Sequence, residues 1–218
     1  MIGRLDDRLW FPDPHQARFD GLVAVGGDFS VERLLLAYRS GIFPWTAAPL
    51  TWWSPDPRAV FDLDRFHVSR SLQRSLRQGE FEVSFDRDFP AVIRACAEVP
   101  RAEGATWITP EFIAAYVALH RAGHAHSVEV RRAGELVGGV YGVTVGGLFA
   151  GESMFHRVTD ASKVALVHLV KRLRERGFIL FDTQMVTPVT QAMGAAEISR
   201  DEYLRWLAGA VNLGCRFA

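Results

Sequence analysis

Residues 136–150 read LVGGVYGVTVGGLFA, a β-rich run in which Gly146-Gly147 is a two-residue hairpin signal between two strands. A helix begins at Asp160 or Ser162, because apolar residues then recur on one side at helical spacing. The next segment, Phe178–Gln184, is predicted to be a strand. The order of hairpin, helix and strand is typical of an α+β fold rather than of a doubly wound fold.

The region before residue 124 is predicted to consist of helices and loops. Its first 60 residues contain proline- and glycine-rich stretches that are typical of turns and extended segments. One helix lies among them, capped by Ser30 and ended by Gly41. Further helices are predicted near residues 67–78, 88–98 and 110–122.

We therefore expect two domains. A small helical and loop-rich N-terminal domain covers residues 1–62, with an alternative boundary near residue 123. A larger α+β domain covers residues 63–218 and contains the hairpin, the helix and the strand.

The composition excludes several classes of protein. Lysine plus arginine and aspartate plus glutamate both number 25, so the formal net charge is zero and any RNA binding must come from a local cluster of cations. Cys96 and Cys215 are too isolated to predict a disulfide framework or a zinc site. Neither a signal region nor a membrane-spanning run is recognisable. We expect a cytoplasmic protein without a membrane partner, and we favour a monomer.

The predicted strand Phe178–Gln184 carries a carboxylate and an amide. In a regular strand Leu180, Asp182 and Gln184 lie on one face, which places the carboxylate and the amide about 6–7 Å apart. Spacing alone favours a strand end that reaches solvent. The alternative is a buried functional pair, which would need hydrogen-bonding partners.

Glu152 follows the hairpin among apolar residues. A carboxylate in such a place is rarely buried without a partner. An ion pair with one of the many arginines is the simpler interpretation, and contact with a substrate cation is the other.

Several aromatic and histidine residues allow two interpretations. Trp45 and Trp107 lie close to proline and glycine, where tryptophans either pack in a core or stack on unpaired bases. His120, His124 and His126 do not share a helical face, and no spacing typical of a metal site surrounds them. No metal is expected.

Arg70, Arg74 and Arg77 are spaced to share one face of the second predicted helix. Charge runs of this kind usually form a solvated face. Unrelieved charge of one sign destabilises a helix, however, so contact with a polyanion is the alternative.

Motifs along roughly residues 10–200 resemble those of the leucyl/phenylalanyl-tRNA–protein transferase family. Together and in this order they are highly specific. They are Phe11-Pro12-Asp13-Pro14, Asp20-Gly21-Leu22-Val23-Ala24-Val25-Gly26-Gly27-Asp28, Tyr38-Arg39-Ser40-Gly41-Ile42-Phe43-Pro44-Trp45, Trp52-Trp53-Ser54-Pro55-Asp56-Pro57-Arg58, Thr106-Trp107-Ile108, His124-Ala125-His126-Ser127-Val128-Glu129, Leu136-Val137-Gly138-Gly139-Val140-Tyr141-Gly142, Gly151-Glu152-Ser153-Met154-Phe155, Asp160-Ala161-Ser162-Lys163 and Asp182-x-Gln184.

The resemblance implies a C-terminal domain similar to the GCN5-related N-acetyltransferase fold. It also implies transfer of Leu or Phe, and also Met, from aminoacyl-tRNA to proteins that begin with Arg or Lys, which marks those proteins for N-end-rule degradation. The aminoacyl ester is already activated, so no cofactor is expected.

The resemblance also assigns roles to individual residues. Tyr38, Trp45 and Trp107 match positions near the terminal adenosine of the tRNA, and Glu152, Asp182 and Gln184 match the active-site trio. In aminolysis Gln184 would orient the amine, Asp182 would hold Gln184 or accept charge, and Glu152 would hold the cation of the acceptor. The positions that match the donor side-chain pocket are Val140, Phe149, Met154 and Phe181.

Two other functions are alternatives to aminoacyl transfer. An acyl-CoA-dependent N-acyltransferase of this fold normally has a glycine-containing pyrophosphate loop, whereas residues 156–162 contain no glycine. A non-catalytic RNA-binding module would not need Glu152, Asp182 and Gln184 together.

Overall fold

Two β-sheets organise the fold, which is described by a computed structural model covering residues 2–99 and 106–218. The strands among these residues are β1 (Gly3–Leu5), β2 (Leu22–Gly26), β3 (Phe43–Ala47), β4 (Leu50–Trp53), β5 (Arg58–Phe61), β6 (Glu82–Phe85), β7 (Ala125–Arg132), β8 (Glu135–Val145), β9 (Leu148–His156), β10 (Leu180–Gln184) and β11 (Ala195–Ile198). The α-helices are α1 (Val31–Arg39), α2 (Arg70–Gln78), α3 (Phe89–Glu98), α4 (Pro110–Arg121), α5 (Ala161–Glu175), α6 (Pro188–Ala192) and α7 (Arg200–Ala210).

The strands pair in two separate orders. The smaller sheet has four strands in the order β1-β2-β4-β3, and the larger has seven in the order β11-β5-β10-β9-β8-β7-β6. Within the larger sheet β9 and β10 are parallel, because α5 crosses over between them, and the other pairs are antiparallel. The mixed arrangement confirms the α+β class predicted from the sequence.

The hairpin, the following helix and the next strand are confirmed. β8 and β9 are joined by the two glycines at 146–147, and α5 follows. The strand begins at Leu180 rather than at Phe178, because the Phe178 N–H still bonds to the Leu173 carbonyl oxygen at the end of α5. The predicted helices are also confirmed, with the Ser30 side chain capping α1.

The region predicted to be helical and loop-rich also contains a sheet that the sequence did not reveal. Its strands are three to five residues long, and β3 contains Pro44, so no alternating pattern is long enough to stand out. β5 belongs to the larger sheet, between β11 and β10. The chain therefore changes sheet between Trp53 and Arg58, ahead of the expected boundary at residue 62. β11 was also not predicted.

Apolar side chains cover both faces of the larger sheet. On one face, residues from the smaller sheet, α1, α3, α4 and α7 form one continuous core, which includes the fully buried Trp52 and Tyr116. On the other face, α5 and α2 cover a second core that contains Phe149 and Leu169. No helix among the described residues is long and apolar enough to cross a membrane.

Gly138 in β8 permits the close approach of α5 to the sheet. A Cβ atom at residue 138 would lie 2.6 Å from the Ala161 Cβ and 2.8 Å from the Ala161 carbonyl carbon. We expect Gly138→Ala to lower the free energy of unfolding by about 1–3 kcal/mol, because the helix must shift. Gly209→Ala is the control, because a Cβ in α7 would meet no atom within 4 Å. Urea unfolding of both variants tests this, and a Gly138→Ala variant as stable as the wild type would contradict it.

Candidate active site

The two parallel strands at the centre of the larger sheet diverge after a short paired segment. Their pairing runs from Leu180 opposite Leu148 to Asp182 opposite Ala150 and then stops. A bulge between β8 and β9 makes Glu152 the extra residue, and a bulge between β10 and β5 makes Thr183 the extra residue. Bulges re-aim side chains locally. The diverging ends therefore carry polar groups toward the space between them.

A cavity of about 230 Å³ lies in this gap. It combines apolar walls with the polar groups of both strand ends. Its lining consists of Val140, Gly151, Glu152, Ser153, Met154, Leu166, Phe181, Thr183, Gln184, Met185, Thr187 and Thr190.

Glu152 is held by hydrogen bonds from neutral groups. The Tyr116 hydroxyl donates to Oε2 at 3.1 Å, and Nε2 of Gln184 donates to Oε1 at 3.1 Å. The Tyr38 and Tyr116 hydroxyls are also hydrogen-bonded to each other. Among the described residues no arginine forms an ion pair with Glu152, so the simpler sequence interpretation, an arginine partner, is wrong for this part of the chain.

The environment of Glu152 favours its protonated form. Burial raises the pKa of the Glu152 carboxyl to about 7, and the negative charge of Asp182 acts in the same direction. Hydrogen bonds from Tyr38 and Tyr116 and the charge of Arg58 oppose the shift. The site therefore holds a carboxyl that gains or loses its proton near neutral pH.

Asp182 is fully buried and lies behind the cavity wall. Nε and Nη2 of Arg58 donate to its two carboxylate oxygens at 2.9 and 2.6 Å. The Tyr203 hydroxyl and the Gln184 backbone N–H also donate to it, each at 2.9 Å. The prediction of a solvent-exposed strand end is therefore wrong, because a long-range ion pair buries Asp182.

Gln184 departs from regular strand geometry. Its φ is +57°, and the pairing register shifts between Asp182 and Gln184. The two side chains consequently contact different partners, so the regular alternation predicted for Phe178–Gln184 fails at its end. Gln184 faces the cavity and Glu152, and it is only 8% exposed.

The residues expected to form a donor side-chain pocket come together. Val140, Met154 and Phe181 line the cavity. Phe149 lies one layer behind, where its ring packs edge-on against Phe181 with centroids 5.5 Å apart. Leu166 of α5 also lines the cavity, although its helical spacing predicts only an apolar helix face.

The three aromatic residues expected near the terminal adenosine fall in two places. Trp45 and Trp107 line one surface cleft of about 360 Å³, together with Thr109 and Glu111. Tyr38 is 2% exposed and does not line this cleft; its hydroxyl contacts Tyr116 instead. The structure therefore connects Tyr38 with Glu152 rather than with the tryptophans.

Arg70, Arg74 and Arg77 are exposed on α2, and no ion pair with another described residue neutralises them. Asp160 connects this helix to α5, because it accepts hydrogen bonds from Ser75 and Lys163, each at 3.0 Å. The arginine-bearing helix is thus attached to the helix that supplies Leu166 to the cavity.

Two of the three histidines contact acceptor oxygens within the protein. Nδ1 of His120 contacts the Ala125 carbonyl oxygen, and Nδ1 of His126 contacts Asp86, at 2.8 and 2.7 Å. Within residues 2–99 and 106–218, no group of three or more His, Cys, Asp or Glu residues is arranged to hold a metal ion.

Comparison with known proteins gives a consistent assignment. A family model described as leucyl/phenylalanyl-tRNA protein transferase matches residues 60–208, and the model of the N-terminal domain of that family matches residues 27–56. A leucyl/phenylalanyl-tRNA–protein transferase from Syntrophobacter fumaroxidans is 58% identical over 95% of this chain and 90% of its own length. One from Pseudomonas entomophila is 54% identical over 93% and 91%.

The chain belongs to this family. The resemblance stated from the motifs is therefore confirmed. Among solved structures, a GCN5-related N-acetyltransferase from Kribbella flavida is similar, with 11% identity and a TM-score of 0.42 over 75% of this chain and 59% of that one.

Three residues of the candidate site, namely Arg58, Tyr116 and Tyr203, were not predicted from the sequence. Arg58 closes a motif that was quoted for the resemblance, but its partner lies 124 positions away. Tyr116 and Tyr203 lie on helix faces that resemble ordinary apolar faces. Local patterns carry no signal for such long-range polar contacts.

The raised pKa of Glu152 predicts a pH effect on the stability of this transferase. Between the ordinary value of 4.5 and about 7, the folded protein keeps a proton that the unfolded chain has released. Stability from this group therefore falls as pH rises through that range. We expect the wild type to lose about 1–3 kcal/mol relative to Glu152→Gln between these pH values.

Urea unfolding of the wild type and Glu152→Gln at a series of pH values measures the difference. Glu175→Gln, at an exposed glutamate of α5, is the control and should follow the wild-type curve. A constant difference between wild type and Glu152→Gln would contradict the prediction.

Proposed function

We propose that this chain transfers Leu or Phe, and also Met, from aminoacyl-tRNA to the N-terminal Arg or Lys of acceptor proteins and so marks them for N-end-rule degradation. One observation carries the proposal. A single cavity presents an apolar wall beside a hydrogen-bonded carboxylate and amide, Glu152 and Gln184. An apolar donor side chain and a cationic acceptor can therefore meet in one place.

The donor occupies the apolar part of the cavity and the surface cleft. A cavity of about 230 Å³ walled by Val140, Met154 and Phe181 suits one apolar side chain. Trp45 and Trp107 offer indole faces for the terminal adenosine, and a stacked base contributes about 1–3 kcal/mol.

The acceptor is held by the polar side of the cavity. Deprotonated Glu152 attracts its ammonium or guanidinium group, and such charge-assisted hydrogen bonds are strong. The amide oxygen of Gln184 orients the amine. Asp182 holds Gln184 through the backbone N–H.

The reaction is aminolysis of an ester. The neutral α-amino nitrogen attacks the aminoacyl carbonyl carbon, an amide C–N bond forms, and the ester C–O bond to the tRNA breaks. The amine loses one proton, and the departing tRNA oxygen gains one and becomes a hydroxyl group. An α-amino group has a pKa of about 7.7–8.0, so part of it is neutral at physiological pH. Catalysis consists mainly of holding the two reactants together.

The tRNA body is proposed to contact α2. Arg70, Arg74 and Arg77 supply exposed positive charge that no acid of the described chain offsets. Because the chain has no net charge, such a patch is what attracts a polyanion. The enzyme is proposed to act in the cytoplasm as a monomer.

The rival donor, acyl-CoA, has less support. Asp160, with a φ of +68°, occupies the N-terminus of α5, where a pyrophosphate would need backbone N–H groups and no adjacent carboxylate. A non-catalytic RNA-binding module would leave the Glu152–Gln184 pair without a role.

We expect the purified protein to transfer labelled Leu and Phe from tRNA to a peptide that begins with Arg or Lys, without ATP. Peptides that begin with Glu should accept little, because Glu152 repels them. Acetyl-CoA serves as the alternative donor in parallel reactions. Transfer from acetyl-CoA with none from leucyl-tRNA would refute the proposal and support an N-acyltransferase.

Replacing Arg70, Arg74 and Arg77 by Gln should weaken tRNA binding and flatten its salt dependence. Each lost phosphate contact should reduce the log–log salt slope by about 0.7–0.9. Glutamine keeps helix propensity, so α2 should remain folded. Transfer from a short aminoacyl-adenosine donor should hardly change.

The matched control removes equal charge from other exposed positions, with Gln at Arg121, Arg176 and Arg205. This control should retain the wild-type slope. If the α2 variant also retains it, the patch is a solvated face and tRNA binds elsewhere.

A further inference from the structure

The Asp182 carboxylate is saturated by protein donors. Oδ1 accepts from Nε of Arg58 and from the Gln184 N–H, and Oδ2 accepts from Nη2 of Arg58 and from the Tyr203 hydroxyl. Two oxygens offer about four acceptor sites, and all four are used. Asp182 is also fully buried and does not line the cavity. It therefore has neither a free acceptor site nor access to a substrate.

Arg58 is itself fixed from several sides. It is 1% exposed, its Nη1 donates to the Gly41 carbonyl oxygen at 3.1 Å, and its guanidinium lies 4.7 Å and 4.4 Å from the ring centroids of Phe43 and Tyr203. The planar guanidinium donates two hydrogen bonds to one carboxylate and stacks on aromatic rings. A lysine ammonium cannot reproduce both contacts. The position of Asp182 is therefore set by Arg58.

Gln184 needs such an anchor because its backbone is strained. A glutamine with a φ of +57° occupies a left-handed conformation that a non-glycine residue adopts only when its surroundings hold it there. The hydrogen bond from its N–H to Asp182 Oδ1 is a contact that holds it. The side chain of Gln184 then reaches Glu152 in the cavity.

We infer that Arg58 and Tyr203 are positioning residues of the transfer reaction, which act through Asp182 to hold Gln184 in the bulge that aims its amide at the acceptor amine. Neither residue touches the substrate. The catalytic effect of these residues rests on the proposed function. The arrangement of Arg58, Tyr203 and Asp182 that holds Gln184, named the clamp, rests on the geometry alone.

Arg58→Lys keeps the positive charge and removes the bidentate fork. We expect kcat for leucyl transfer to fall roughly 10²-fold, because misplacement by about 1 Å has an effect of that size. The KM for leucyl-tRNA should change less than about twofold, since Arg58 lies outside the donor cavity and the Trp45–Trp107 cleft. Tyr203→Phe removes one hydrogen bond and keeps the ion pair, so kcat should fall about tenfold.

Two controls separate positioning from general damage. Arg33→Lys makes the same change at another arginine that is 1% exposed and paired with an aspartate, and it should retain wild-type kcat. In a Gln184→Ala background, Arg58→Lys should cause little further loss, because residues that act through one another are not additive. Melting temperatures measured for all variants exclude unfolding as the cause.

A measurement without substrate tests the clamp directly. In ¹⁵N-labelled protein, hydrogen exchange at the Gln184 amide should accelerate about tenfold or more in Arg58→Lys and Tyr203→Phe, with the Leu180 amide as internal reference. If the wild-type protein transfers neither Leu nor Phe, the proposed function is wrong. Hydrogen exchange at the Gln184 amide would still show whether Arg58 and Tyr203 hold Gln184 in place. Unchanged exchange, wild-type kcat in both variants, or full additivity with Gln184→Ala would overturn the inference.

Discussion

The buried ion pair between Arg58 and Asp182 is the contact on which the centre of this molecule depends. Removing one partner of such a pair leaves an uncompensated charge and destabilises a protein by about 3–5 kcal/mol. Here the pair also joins three parts of the chain. Arg58 lies on β5 and contacts Gly41 and Phe43 of the N-terminal region, Asp182 lies on β10, and Tyr203 lies on α7. The ion pair thus determines where these parts meet.

The two bulges beside this ion pair convert a regular sheet into a site. The pairing of β9 with β10 ends at Asp182 opposite Ala150, and the bulged residues Glu152 and Thr183 lie directly beyond this point. Burial of the Glu152 carboxyl at this cavity raises its pKa to about 7. Its hydroxyl and amide partners satisfy its oxygens but do not supply the full positive charge that an arginine would. The proposed binding of the acceptor's cation by Glu152 therefore meets no competing arginine ion pair among the described residues.

Sequence patterns predict structures formed by residues that are close together in the chain, and they do not predict contacts between residues far apart in the chain. The β8–β9 hairpin and α5 are local structures, so glycine pairs and helical periodicity predict them. The four-stranded sheet depends on pairing between short segments, which composition cannot show. The site divides in the same way. Motifs predict Glu152 and Gln184, whereas the contact made by Arg58 is not predicted, because its partner Asp182 lies 124 positions away. The bulge between Asp182 and Gln184 breaks the strand's alternation, and no local pattern predicts it.

The proposed reaction brings together substrates of opposite charge, and a neutral chain can attract both only by separating its own charges. A large net positive charge would attract tRNA and repel acceptors that begin with Arg or Lys. Salt screens charges over about 10 Å, so a local patch acts on its surroundings without setting the field elsewhere. Exposed arginines on α2 and a carboxylate enclosed with neutral partners meet both requirements. The zero net charge, which argues against general nucleic-acid affinity, is therefore compatible with the proposed pair of substrates.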